Sequence, residues 1–166
     1  MLGVPRGDAT ELHADLAALA FMLGRWAGEG EGEYPTVEPF RYGEEMTFSH
    51  VGKPYLAYAQ RSWSLDDGRP LHAETGYWRR MPGGRVEIVI AHPTGHTEVS
   101  EGTLDATSVT LESSKVTGTP SAKQVERIVR RFDVAGEQMR YVLEMAAVGR
   151  PLEVHLRATL RRVAGP

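Results

Sequence analysis

The sequence predicts an all-β fold: a ten-stranded antiparallel up-and-down barrel with one short N-terminal helix. Three observations predict it. The apolar period changes from helical to two after Gly24. Ten alternating runs follow, divided by turn signals. The connections between them are too short for parallel crossovers, so neighbouring strands must run antiparallel.

The helix comes first. Asp8 to Glu11 has the Asp-x-x-Glu form of a helix start, and Leu12, Leu16, Leu19 and Met22 make one apolar stripe before Gly24. This places a helix of about three turns near residues 10–22. Strands are expected at 25–33, 41–50, 54–64, 71–80, 85–92, 95–104, 108–114, 124–134, 138–147 and 152–163. Their punctuation includes Asp66-Asp67-Gly68, Pro82-Gly83-Gly84, Pro93-Thr94-Gly95, Ala135-Gly136-Glu137 and Gly149-Arg150-Pro151. Residues 116–123 read as the longest irregular stretch late in the chain. Ten strands with no second helix imply a sandwich or a closed barrel, and a meander that closes leaves no exposed edge. The closed barrel is therefore the expected fold, and it resembles the barrels of lipocalins and fatty-acid-binding proteins. Residues 1–9 read as a tail and 10–164 as one barrel domain.

Composition narrows the function classes. The 166 residues carry 19 basic and 22 acidic side chains, a net charge of −3, with 41% apolar residues and no cysteine. One domain of this size can hold a core without staples. The absent thiols exclude disulfides, cysteine nucleophiles, zinc–thiolate sites and thiolate-bound haem. The slight acidity argues against a nucleic-acid partner. The basic runs Arg79-Arg80, Arg127 to Arg131 and Arg161-Arg162 read as solvated strand faces. No stretch is long and apolar enough for a membrane span, and no secretory signal is legible, so a cytoplasmic location is expected.

Gly24 to Tyr34 is the most informative segment. Trp26, Gly28, Gly30, Gly32 and Tyr34 share one strand face, and Glu29, Glu31 and Glu33 the other. The carboxylates must be wet, so the inward wall is almost bare. Alternate glycines weaken a strand, and they suit a place where something flat approaches the backbone or where a barrel bends sharply. Glu44 and Glu45 point to opposite faces and read as surface. No nucleophile elbow, phosphate loop or His-Glu-x-x-His helix is present. Six histidines remain: His13, His50, His72, His92, His96 and His155. The pair His92 and His96 flanks a turn and reads as surface. Neutral imidazole ligates zinc, copper or haem iron, and spacing alone does not choose among them.

The run Leu23-Gly24-Arg25-Trp26-Ala27-Gly28-Glu29-Gly30-Glu31-Gly32-Glu33-Tyr34-Pro35-Thr36 resembles the Gly-x-Trp-x-Gly-x-Gly signature of the nitrobindin family. Four later segments resemble it in the same order: 40–45, 50–54, 71–77 and 151–156. The resemblance spans about residues 12–163. It implies a ten-stranded barrel holding one haem b per chain, with ferric iron bound by His155. It further implies His72 and Leu71 on the distal side, Thr36 near the haem and Lys123 as a propionate partner. Peroxynitrite and nitric oxide are the implied ligands, and the implied activity is the haem-dependent isomerisation of peroxynitrite to nitrate. A homodimer is compatible with the pattern.

The residues can be set beside that implication. Gly28 and Gly30 offer space for a flat macrocycle, and Met145 shares its parity with Tyr141 and Leu143 and would line the same pocket. Without cysteine the axial ligand must be His, Met or Tyr. Strict alternation, however, puts His155 on the face of Glu153 and Arg157, opposite Val154 and Leu156. An inward imidazole then needs a bulge after Pro151, or a cofactor near an open mouth. Two rivals remain: a lipocalin-like carrier of an apolar ligand, and a zinc hydrolase using His72, His92 and His96, in which the intervening turn makes joint ligation awkward.

Overall fold

Two-residue periodicity becomes strand order directly. The computed structural model describes residues 10–164, and in them the ten strands close into one barrel in the order β1-β10-β9-β8-β7-β6-β5-β4-β3-β2. They are β1 (Gly24–Tyr34), β2 (Val37–Ser49), β3 (Leu56–Ser64), β4 (Pro70–Met81), β5 (Arg85–Ala91), β6 (His96–Asp105), β7 (Ser108–Gly118), β8 (Val125–Ala135), β9 (Gln138–Ala147) and β10 (Glu153–Val163). All pairs are antiparallel, and β1 closes on β10 from Arg25↔Val163 to Gly32↔Leu156. Two strands, β2 and β7, exceed their expected bounds by a few residues at one end, and the others agree to within a residue or two at each end. β2 starts at Val37 because Pro35-Thr36 makes a tight hairpin that pairs Tyr34 with Val37. β7 runs to Gly118, which pairs with His96, so the irregular stretch is shorter than expected.

The N-terminal helix differs in kind. It is a 3-10 helix over Ala14–Met22, capped by His13, whose Nδ1 accepts from the Asp15 amide at 3.2 Å. Its apolar residues explain the winding. Leu16, Leu19 and Met22 recur every third position, and three residues per turn aligns them on one edge. All three are fully buried in the barrel. The expected cap at Asp8 lies outside the described residues.

The helix plugs one end of the barrel. Around it Trp26, Met46, Phe48, Leu56, Trp78, Val86 and Ile88 are 0–1% exposed. The other end is the mouth, and its apolar residues Phe40, Val116, Val125, Met145 and Leu156 are only partly buried. β7 and β8 pair only from Ser108↔Asp133 to Glu112↔Val129, so their mouthward halves share no ladder.

The glycine wall of β1 is filled, not bare. A β-carbon on Gly30 would collide with the Tyr42 ring, and one on Gly32 with the Phe40 ring. Both rings come from β2, whose residues Tyr42 and Phe40 stand opposite those glycines. A β-carbon on Gly28 would meet the main chain of Thr159 and Leu160. The expectation that Gly28 and Gly30 make room for a macrocycle is therefore corrected. They make room for aromatic rings of β2 and for β10 packed close against β1.

Candidate functional site

The barrel topology gathers most of the expected site residues at the mouth. His72 and Leu71 open β4, Met145 lies near the end of β9, and His155 lies near the start of β10. Thr36 sits in the β1–β2 turn and Lys123 in the β7–β8 connection, both exposed. Gly28 and Gly30 lie deeper in β1 and do not join them.

His155 owes its position to a break in pairing. Val154 faces Glu144 and Leu156 faces Leu143, so His155 is the extra residue of a β-bulge. The bulge overrides alternation and turns the imidazole toward inward-facing rings. Its ring meets Tyr34 edge-on at 5.4 Å between centroids and Phe40 at 6.4 Å. Its Nδ1 lies 2.9 Å from the Glu33 carbonyl oxygen. A carbonyl only accepts, so Nδ1 carries the proton and Nε2 keeps a free lone pair. Burial lowers its pKa, the Glu33 bond partly opposes this, and the nearby His72 lowers it further. The ring is thus held neutral, anchored at one nitrogen and free to ligate through the other, as metal-binding histidines are. Open space of about 380 Å³ borders His155, Phe40 and Val154, and Glu31, Glu33, Arg41, Asp66 and Arg157 give it a charged rim. Leu71 is also a bulge residue, since Ser62 faces His72 while Trp63 faces Pro70, and it is 37% exposed. One neutral imidazole within an apolar collar open to solvent fits a flat apolar group with a metal at its centre.

Below the mouth lies a charged layer that the sequence reading missed. Arg130 is 1% exposed, although it sits in the run read as a solvated face. Its Nη1 and Nη2 donate to Glu74 Oε2 and Oε1 at 3.0 and 2.9 Å, and its Nε and Nη2 to Glu98 Oε1 and Oε2 at 3.0 and 2.7 Å. Tyr58 Oη adds a bond to Glu74 Oε2 at 3.0 Å, and Ser100 Oγ one to Glu98 Oε1 at 2.7 Å. Burial alone would raise both carboxyls. The guanidinium overrides it, holding Glu98 at about 2 and Glu74 well below the usual range. Parity was the available signal: Arg130 alternates with Ile128, Phe132 and Val134, all buried. His92 is likewise interior, its side chain 8% exposed and its Nε2 3.2 Å from Glu98 Oε2.

Glu44, read as surface, is 1% exposed. It accepts one bond from Gln60 Nε2 at 2.8 Å, while its Oε2 is buried with no partner among the described residues. Burial pushes its pKa from 4.5 to about 7, against the Gln60 bond and with the help of Glu74. The folded chain therefore keeps a proton that the unfolded chain loses between pH 4.5 and about 7. Stability on this account falls as pH rises through that window. Glu44→Gln is expected to raise the unfolding free energy at pH 8 by up to about 3 kcal/mol, seen as a higher denaturant midpoint, and to change it little at pH 5.

Similarity to known proteins points the same way. A model of the family described as "THAP4-like, heme-binding beta-barrel domain" matches residues 15–162. The chain is 54% identical over 156 residues to a protein of Mycobacterium marinum named peroxynitrite isomerase 2, covering 92% of this chain and 97% of that one. It is 50% identical over 155 residues to a protein of Nocardia farcinica named peroxynitrite isomerase, covering 91% and 92%. It superposes on the crystal structure of Rv2717c from M. tuberculosis with a TM-score of 0.87 at 45% identity, covering 93% of this chain and all of that one. The chain therefore belongs to the THAP4-like, heme-binding beta-barrel family, the nitrobindins that its glycine-strand motif resembles.

Proposed function

We propose that the chain binds one haem b at the barrel mouth through His155 Nε2 and isomerises peroxynitrite to nitrate there. The observation that carries this reading is the bulged His155, neutral and anchored by its Nδ1 to the Glu33 carbonyl. The chain has no cysteine, which excludes the thioether links of a c-type haem, and the b type is what the family resemblance implies. Peroxynitrite and nitrate contain the same atoms and carry the same charge. The reaction thus needs no electron donor and no net proton.

The bound haem supplies an iron that acts as Lewis acid and redox centre. The chain supplies the rest. His155 presents a ligand that stays unprotonated because burial lowers its pKa. Phe40, Leu156, Met145 and Val125, partly buried at the mouth, would offer an apolar surface to the bound group. His72 and Leu71 are assigned to the distal side of the haem. Lys123 is assigned as a propionate partner and Thr36 as a neighbour of the haem, and both are exposed at the rim. Nitric oxide is the expected ligand of the reduced form.

An apolar carrier would use the same collar but has no need of an anchored imidazole. Hemin titration of the haem-free chain separates the two. A saturable one-to-one Soret band is expected, with distinct ferric, ferrous and ferrous-nitrosyl spectra. Absence of a saturable band would leave the carrier as the better reading.

A further inference from the structure

We propose that His72, His92 and Glu74 form a second site, distinct from His155, for a borderline divalent transition metal such as zinc, cobalt or copper. His72 Nε2 lies 3.3 Å from His92 Nδ1 and 3.5 Å from Glu74 Oε1, and His92 Nδ1 lies 3.7 Å from that same oxygen. These three separations are the edges of one face of a tetrahedron. Zinc bonded to nitrogen and oxygen at about 2.0–2.1 Å in tetrahedral geometry spaces its ligand atoms about 3.4 Å apart. An ion seated slightly off the plane of the three atoms meets all of them with little side-chain movement. Two histidines and one glutamate, with one position left open, are also a donor set that suits such metals.

The groups behind the ligands are already in place. His92 Nε2 reaches Glu98 Oε2 at 3.2 Å, which directs the Nδ1 lone pair toward the site. Glu74 Oε2 accepts from Tyr58 Oη and Arg130 Nη1, each at 3.0 Å, which fixes the carboxylate plane and leaves Oε1 facing the two rings. The backbone is rigid too. His72 and Glu74 alternate on β4, and His92 immediately follows β5, which pairs with it. Burial also suits the site, since Glu74 and His92 expose 6% and 8% of their side chains, while His72 exposes 32% and opens toward the mouth. The charge balance is favourable but not strongly so. Arg130 offsets one of the two carboxylates Glu74 and Glu98, leaving one negative charge for the cation to meet. The Arg130 guanidinium, which donates to Glu74 Oε1 at 2.9 Å, repels the ion and weakens the site. His96 takes no part: its Nδ1 lies 2.9 Å from Thr94 Oγ1, and its Nε2 is bonded to the Lys123 carbonyl at 2.6 Å.

The test uses the full chain. Zinc binding is measured by calorimetry on haem-free and haem-loaded protein, and cobalt binding by visible absorption on haem-free protein. One saturable equivalent is expected, with the absorption of a four-coordinate cobalt ion. His92→Gln should weaken it by about 100-fold and Glu98→Gln by about tenfold. His155→Ala should leave zinc affinity unchanged, which separates this site from haem ligation. In unsubstituted protein, zinc should shift the ring-nitrogen resonances of His72 and His92 and spare His50. No saturable equivalent, an affinity indifferent to His92→Gln, or unmoved ring resonances would each overturn the proposal.

Discussion

Arg130→Met is expected to destabilise the fold by about 3–5 kcal/mol, a cost typical of stranding buried charges. The guanidinium is fully buried and satisfies two carboxylates at once. Removing it leaves Glu74 and Glu98 facing each other inside the barrel, where neither reaches water. The cost is that of the uncompensated charges, not the net worth of the ion pairs. Chemical denaturation should therefore show a much lower midpoint for Arg130→Met, with part of the loss recovered in Arg130→Met/Glu74→Gln/Glu98→Gln. A single substitution that leaves the midpoint unchanged would contradict the buried network. The same network sets the acid limit. Both carboxyls lie below their ordinary pKa in the fold, so the unfolded chain binds protons that the folded chain refuses. Their contribution is present at neutral pH and is lost as pH falls from about 4.5 toward 2.

His155→Ala is expected to reduce haem affinity by about 100-fold or more, the scale on which metal sites respond even to the loss of supporting groups. The barrel itself should survive. The ring is only half-buried on a bulge outside the ladder pairing, and the substitution removes only its edge contacts with Tyr34 and Phe40 and its bond to the Glu33 carbonyl. The readout is the Soret band during hemin titration, with circular dichroism confirming strand content. A pH titration adds a second signature. Protons compete with iron for Nε2, and burial lowers the pKa of the ring. Haem binding should thus persist to pH values below the ordinary histidine range and weaken only beyond it.

The strands were legible because an antiparallel barrel writes its period of two into every segment, and Gly and Pro mark the turns. The 3-10 winding was present in the spacing of Leu16, Leu19 and Met22, but that spacing also suits an α-helix when a fourth residue, Leu12, is counted with them. The glycine wall was read correctly for its direction and wrongly for its use. Parity says which way Gly30 faces, while Tyr42, which fills the space, belongs to the neighbouring strand. The orientation of His155 was illegible from alternation because one bulge reverses it. Arg130 was hidden by its basic neighbours, and its partner Glu74 lies 56 positions away in the chain. Local pattern carries strand faces well. It carries neither bulges nor charge pairs that form only on barrel closure.

The most direct test of the central claim is the product yield when peroxynitrite is mixed with the haem-loaded chain. Peroxynitrite decay and the nitrate-to-nitrite ratio would be recorded for haem-loaded protein, haem-free protein and His155→Ala given the same hemin. The haem-loaded chain is expected to speed decay and to direct it to nitrate, and the other two to leave rate and ratio near those of buffer. Equal rates and ratios for all three, at full haem occupancy of the unsubstituted chain, would contradict it.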